Sequence, residues 1–186
     1  MSVAFLFLTR GRIHPAWEDF FQPPHAPYLI KNQVYIHAKH PEEFEHPYVC
    51  HWKSRLIVPP VKTKWGHLSQ IYALHKLLEK SYQDRDINNQ PYQYFFYASE
   101  SCVPLAAYSL FIDYIVKHQK GFLSHRLEPS RYHSSLKSYI SRDDFSKMRG
   151  QGWLLPRALV ELLLKLTEFF SVNSTTAPII LEFETG

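Results

Sequence analysis

Glycine is scarce in this sequence, with six residues among 186. None of them forms the G-x-G-x-x-G pattern of a dinucleotide site or the glycine-rich loop of a P-loop nucleotide site. None forms the G-x-S-x-G elbow of a hydrolase either. The sequence therefore argues against all three kinds of site.

Cysteine, long apolar runs and blocks of basic residues are also scarce. Cys50 and Cys102 are too few for a disulfide scaffold, and we expect free thiols in a reducing compartment such as the cytoplasm. The apolar run at 3–8 is far shorter than the ~20 residues of a membrane helix, so we expect no membrane span in this chain. The mild net charge of +4 without a Lys/Arg block argues against nucleic acid as a partner.

Short apolar runs alternate with helical spacings along most of the chain. The runs predict strands at 3–8, 34–37, 56–58 and 92–98, with further short ones at 122–123 and 179–181, and residues 153–155 mark the return of ordered structure after the polar stretch. The spacing of apolar residues predicts helices at 14–21, 66–82, 106–118 and 157–170. This alternation predicts an α/β domain with a mostly parallel sheet flanked by helices. The polar stretch 124–149 has no clear period and is predicted to be a long functional loop.

Ligands bind at the carboxyl ends of strands in such sheets. The residues that follow the predicted strands are therefore the first candidates: Thr9, Arg10, His37, Ser99, Glu100 and Ser101. The carboxylate of Glu100, between two hydroxyls, can accept hydrogen bonds from sugar or ribose hydroxyls. The same residues could equally form a capping loop between a strand and a helix.

Histidines crowd the stretch from His37 to His51, but their spacing matches no standard zinc pattern. Loop histidines explain them better, so no metal ligands are predicted. Aromatic residues make up 16% of the chain. They could stack on the C–H faces of sugars or serve as ordinary core residues.

Six motifs occur in an order that points to one family. They are FLFLTR (5–10), Trp17 with Phe20 and Phe21, VYIHA (34–38), KWGHLS (64–69), ASESCVPL (98–105), and RGQGW (149–153) followed by Arg157. In this order and spacing the chain resembles the core-2/I-branching β-1,6-N-acetylglucosaminyltransferases, and especially their plant and microbial branch. The resemblance covers residues 3 to about 170.

This resemblance implies a GT-A-like fold, a mostly parallel, Rossmann-like nucleotide-sugar domain. It implies an inverting transfer of a sugar, N-acetylglucosamine first, from a UDP-sugar to a glycan or glycoconjugate hydroxyl. The family works without a metal, so no cofactor is expected beyond the donor substrate. We assign residues 1–170 to the transferase domain and 171–186 to a divergent or truncated tail. Relatives are often type II membrane proteins of the secretory pathway.

The resemblance also implies roles for individual residues. Those expected to bind the donor nucleotide are Phe5, Leu6, Thr9, Arg10, His37, Trp65, Ser69, Ser99, Glu100 and Ser101. Those expected to border the acceptor cleft are Gln151, Trp153 and Arg157. For the tryptophans, packing at the ends of helices and strands is an alternative. For Arg157 the alternative is a solvated cation at a helix start.

The general base is the point at which this sequence departs from the family. The family places a glutamate shortly after the last helix, in a context similar to P-D-E. Here the acidic pair is absent, and Glu182 and Glu184 are the candidates. The family's later basic residues have no counterpart in this chain. A nucleotide-sugar or glycan-binding protein without catalytic activity is therefore the alternative function.

Overall fold

The fold is known from a computed structural model. It describes residues 1–21, 33–45, 56–57, 60–64, 69–123, 125–127, 146–148 and 152–172. Four strands form one sheet in the order β2-β1-β3-β6. β1 pairs in parallel with both β2 and β3, and β6 pairs antiparallel with β3. The α/β, mostly parallel sheet flanked by helices is thereby confirmed.

The elements of the described residues run as follows. The strands are β1 (Val3–Thr9), β2 (Val34–Ala38), β3 (Tyr94–Ser99), β4 (His125–Leu127), β5 (Ser146–Met148) and β6 (Trp153–Pro156). The helices are α1 (Ala16–Phe21), α2 (Ser69–Gln83), α3 (Tyr108–His118) and α4 (Arg157–Val172), with a 3₁₀ helix at Pro41–Glu45.

β1 is the central strand and is buried on both faces. Val3, Phe5 and Phe7 point into one core, which they share with the aromatic residues of α1. Ala4 and Leu6 point into the second core, where residues of α2 and α4 cover the sheet. A strand covered on both faces has no polar face, which explains the continuous apolar run.

Three sequence predictions need correction in detail. In the predicted strand 56–58, Leu56 makes a single parallel bridge to Ile36, and Val58 lies outside the described residues. Phe122 likewise makes only a bridge, to Leu154. The predicted loop 124–149 contains a small antiparallel hairpin, β4–β5. Elements of one to three residues are too short for any period to appear in the sequence.

Candidate functional site

Three parallel strands end side by side and bring charged residues to one edge of the sheet. In the register of the sheet Thr9 lies beside Ala38, and Leu8 lies beside Ser99. The next residues along the chain are Arg10 after β1, Lys39 after β2 and Glu100 after β3. The sheet topology therefore places two cations and a carboxylate at its carboxyl edge.

Hydrogen bonds tie these three strand ends together. The backbone N–H of Lys39 donates to the carbonyl of Thr9 at 3.0 Å, and that of His40 donates to the carbonyl of Arg10 at 2.6 Å. The backbone N–H of Arg10 donates to Oε2 of Glu100 at 2.5 Å. Glu100 thus holds the turn after β1 in place. Glu100 also lines the two cavities described next.

Two neighbouring cavities open at this edge. The first, here the strand-end cavity, has about 460 Å³ and is lined by Leu8, Thr9, Arg10, Lys39, Thr63, Gln70, Tyr97, Ser99, Glu100 and Ser101. The second, here the flanking cavity, has about 820 Å³ and is lined by Arg10, Gly11, Arg12, Ile13, His14, Pro15, Glu18, His40, Glu43 and Glu100. Arg10 and Glu100 belong to both linings, so the two cavities are adjacent.

Several of the sequence candidates meet in the strand-end cavity. Its lining includes Thr9, Arg10, Ser99, Glu100 and Ser101. Ser69 is the first residue of α2 and accepts a hydrogen bond from the backbone N–H of Lys64 at 2.9 Å. It is a neighbour of Gln70 rather than part of the lining.

The Ser99–Cys102 turn has local bonds of its own. Oγ of Ser99 lies 3.0 Å from Oγ of Ser101, and the backbone N–H of Cys102 donates to the carbonyl of Ser99 at 3.1 Å. The indole N–H of Trp17 donates to the carbonyl of Cys102 at 2.8 Å. The turn is therefore held by local bonds and faces the strand-end cavity, but it does not cap the next helix, α3, whose N-cap residue is Ala107 without a side-chain cap.

Sequence reasoning missed Leu8, Lys39, Thr63, Gln70 and Tyr97 as lining residues. Lys39 could have been found, because it follows β2 as Arg10 follows β1. No sequence pattern pointed to Thr63, because it lies in an irregular segment, residues 60–64. A hydrogen bond from Val61 to the buried His37 holds this segment in place.

Phe5 and Leu6 do not line the strand-end cavity. Both side chains are fully buried, each in one of the two cores of the sheet. Both side chains therefore pack in the cores of the sheet, and their expected role in the nucleotide pocket stays a prediction. The reason for this packing is their position in the middle of a strand, because only residues at the strand end reach the cavity.

His37 is also fully buried, in β2, one residue before the end of the strand. Its Nε2 accepts a hydrogen bond from the backbone N–H of Val61 at 2.8 Å. Burial lowers the pKa of His37, because the charged ring loses its hydration. His37 therefore holds the segment 60–64, which brings Thr63 to the cavity, and it does so as a neutral ring.

This arrangement predicts an acid-dependent loss of stability. The pKa of His37 in the unfolded chain is about 6.5, and in the folded protein it is lower. The unfolded chain then binds more protons, so the free energy of unfolding falls as the pH drops through 6.5 toward the lowered pKa. Urea titrations at several pH values should show this fall. His37→Gln should flatten it, and an equal slope in both proteins would contradict the assignment.

Arg157 lies at the other end of the sheet. β6 runs antiparallel to β3, so Trp153 pairs with Tyr97 and Pro156 with Tyr94 at the amino end. The guanidinium of Arg157 lies 3.8 Å from the centre of the Tyr82 ring and donates to the carbonyls of Tyr82 and Tyr92, both at 3.3 Å. The antiparallel strand thus places Arg157 at the end of the sheet opposite the strand-end cavity, and its expected place at the acceptor cleft stays a prediction.

Trp153 is buried behind the strand-end cavity. Its ring lies 5.0 Å from the ring of Tyr97, which lines that cavity. It supports a lining residue and does not border the cavity itself. The remaining candidates, Trp65, Gln151, Glu182 and Glu184, lie outside the described residues.

A comparison with known protein families identifies the family of this chain. The family model described as "Branch: Core-2/I-Branching enzyme" matches residues 3–163. The chain belongs to this family. The match covers the sheet, both cavities and the first seven residues of α4, and membership of the Core-2/I-Branching enzymes implies glycosyltransferase activity. A nucleotide-sugar and a glycan acceptor follow as the general substrate classes.

Two further findings concern this member of the Core-2/I-Branching enzyme family. A search of curated proteins found no match. Within the part of the chain that the structure describes, no helix is both long and apolar enough to cross a membrane.

Proposed function

We propose that this chain transfers a sugar from a UDP-sugar to a glycan hydroxyl and binds the donor in the strand-end cavity. The observation that carries the proposal is the charge of that cavity. Among the lining residues that the structure describes, Arg10 and Lys39 face a single carboxylate, Glu100, beside the hydroxyls of threonines and serines. Excess positive charge beside hydroxyl groups suits a diphosphate attached to sugars.

The same cations have a chemical role in this proposal. The diphosphate gains negative charge as it leaves, and fixed cations stabilise that charge in the transition state. An arginine can bind two phosphate oxygens at once, while a lysine acts as a point charge. The backbone N–H of Arg10 donates to the carboxylate of Glu100, so the backbone at Arg10 is in position before the donor binds.

The other lining residues fit the rest of a UDP-sugar. Leu8 and Tyr97 offer an apolar surface for a ring, and Glu100 and Thr63 offer oxygens for ribose or sugar hydroxyls. In this proposal the sugar is N-acetylglucosamine and the transfer is inverting. A carboxylate then takes the proton of the attacking hydroxyl, and Glu182 and Glu184 stay the candidates for it.

We also propose that the donor binds without a metal ion. Bridging metals need one or two carboxylates besides the phosphate oxygens. The chain has one Asp-x-Asp, Asp84 and Asp86, but it lies at the amino end of the sheet, where Asp84 accepts a hydrogen bond from Tyr35 at 3.1 Å. Among the described residues no three His, Cys, Asp or Glu side chains are grouped to hold a metal ion.

The expected result is that UDP binds equally well with EDTA and with added manganese. Arg10 and Lys39 supply the charge that a metal would otherwise supply, so the metal has little to add. Isothermal titration of the protein with UDP under both conditions measures this. A tenfold or greater gain with manganese, about 1.4 kcal/mol, would contradict the proposal.

Turnover decides between a transferase and a binding protein. Hydrolysis of UDP-N-acetylglucosamine and transfer to a glycan panel are measured on the same sample as UDP binding. Turnover supports the transferase. UDP binding without turnover supports a non-catalytic nucleotide-sugar-binding protein. A folded protein that binds no UDP would refute both.

A further inference from the structure

We infer that the flanking cavity binds the acceptor, a neutral glycan, and that the carboxylate of Glu43 accepts a hydrogen bond from one of its hydroxyls. This inference rests on the proposed donor site in the strand-end cavity. It gives the acceptor a place among the described residues, which the sequence had sought instead near Trp153 and Arg157.

The first argument is adjacency. Transfer requires the acceptor oxygen to come within ~3–3.5 Å of the reacting carbon, so the acceptor must lie in space continuous with the donor. The flanking cavity shares Arg10 and Glu100 with the strand-end cavity. Trp153 is buried and Arg157 lies at the opposite end of the sheet, so neither borders this space.

The second argument is charge. Among the described residues that line the flanking cavity, the carboxylates of Glu18, Glu43 and Glu100 outnumber the guanidiniums of Arg10 and Arg12. In the strand-end cavity, by contrast, the positive charges of Arg10 and Lys39 outnumber the one described carboxylate, Glu100. A diphosphate therefore prefers the strand-end cavity, and a ligand with many hydroxyls and no negative charge prefers the flanking one, since carboxylates only accept hydrogen bonds.

The third argument is the close approach of Glu43 to Gly11. A Cβ atom at Gly11 would collide with the carboxylate of Glu43, so only glycine leaves room for it. Two bonds hold the backbones on either side. Oγ1 of Thr9 donates to the carbonyl of Gly11 at 2.7 Å, and the backbone N–H of Glu43 donates to the carbonyl of His40 at 3.1 Å.

The Glu43 carboxylate is also available to a ligand. No hydrogen bond or ion pair to another described residue holds it, in contrast to the carboxylate of Glu100, which binds the backbone of Arg10. It is exposed, so a bound hydroxyl can reach it. The backbone and Gly11 set the position of the side chain, and no bond within the described part of the chain occupies its carboxylate oxygens.

Two substitutions test this role in different ways. Glu43→Gln removes the charge and keeps the shape. Gly11→Ala keeps Glu43 but displaces its carboxylate, and the fold should tolerate it because the atoms in the way are the flexible end of a side chain. Glu79→Gln is the matched control, since the Glu79 carboxylate pairs with Lys76 on the exposed face of α2.

The probes are p-nitrophenyl β-glucoside and p-nitrophenyl β-glucuronide, which differ only in the hydroxymethyl or carboxylate group at C6. Saturation-transfer NMR measures their binding with and without saturating UDP, and calorimetry measures UDP binding. We expect the glucoside to bind more tightly than the glucuronide. Glu43→Gln and Gly11→Ala should each weaken glucoside binding about tenfold, while Glu79→Gln and the affinity for UDP stay unchanged.

The outcomes separate this inference from the proposed function. If UDP binds but the glucoside does not bind, or binds to both variants as tightly as to the parent protein, the acceptor assignment is overturned and the donor site stands. Equal binding of the glucuronide would overturn the choice of a neutral ligand. If UDP fails to bind, the donor proposal falls, and the effect of Glu43→Gln on glucoside binding without UDP decides the flanking cavity alone.

Discussion

Replacing Phe5 with alanine is expected to lower the free energy of unfolding by about 3–5 kcal/mol. Phe5 is fully buried in the central strand, and its ring contacts those of Trp17, Phe20, Phe21, Phe96, Tyr108 and Phe111. Its removal leaves a cavity between α1, α3 and the sheet. Because domains are stable by only about 5–15 kcal/mol, this is a large part of the total.

Urea denaturation followed by tryptophan fluorescence measures this loss. Phe122→Ala is the matched control, because Phe122 is 39% exposed and should lose much less. Phe5→Leu keeps most of the volume and provides a readout if the alanine variant does not fold. Equal losses at Phe5 and Phe122 would contradict the packing role. So would a Phe5→Leu variant of unchanged stability that no longer binds UDP.

Replacing Arg10 with methionine is expected to weaken UDP binding roughly tenfold to a hundredfold. Hydrogen bonds to charged groups contribute about 1.5–3 kcal/mol each. Arg10 lines the strand-end cavity at the point where three strand ends meet. Methionine keeps the length of the side chain and removes the charge, so the loss reports the charge rather than the packing.

Arg12→Met is the matched control for this measurement. Arg12 is two residues away and exposed, and it lines the flanking cavity but not the strand-end cavity. Calorimetry with UDP should show a loss for Arg10→Met only, with equal urea midpoints for the two variants. Equal UDP affinities in the parent protein and in both variants would show that the diphosphate does not bind at Arg10. They would also contradict the assignment of the donor to the strand-end cavity.

The strands that consist of continuous apolar or aromatic runs were predictable from the sequence. The continuous apolar run at 3–8 was predicted as a strand covered on both faces and the aromatic run at 92–98 as a strand, and both form strands of the sheet. The strand-end rule then led to Arg10 and Glu100. It worked because parallel pairing brings the residues after neighbouring strands to the same edge.

Other features depended on contacts that no local pattern reveals. β6 pairs antiparallel, and this direction alone moves Arg157 from the expected cleft to the opposite end of the sheet. The place of Thr63 depends on a bond between His37 and Val61, 24 residues apart. Gly11 looked like a turn residue, and its use as space for the Glu43 carboxylate required the folded chain.

The central position of β1 has a consequence during synthesis. Val3 is made before its partner Tyr94, which follows about ninety residues later in the chain. At ~5–20 residues per second, roughly 5–20 s pass before β3 exists. Until β3 is made, this uncharged, apolar segment with high strand propensity lacks at least one of its two partners, and such segments are prone to aggregation. We therefore expect early shielding of β1 on the ribosome to raise the yield of folded protein.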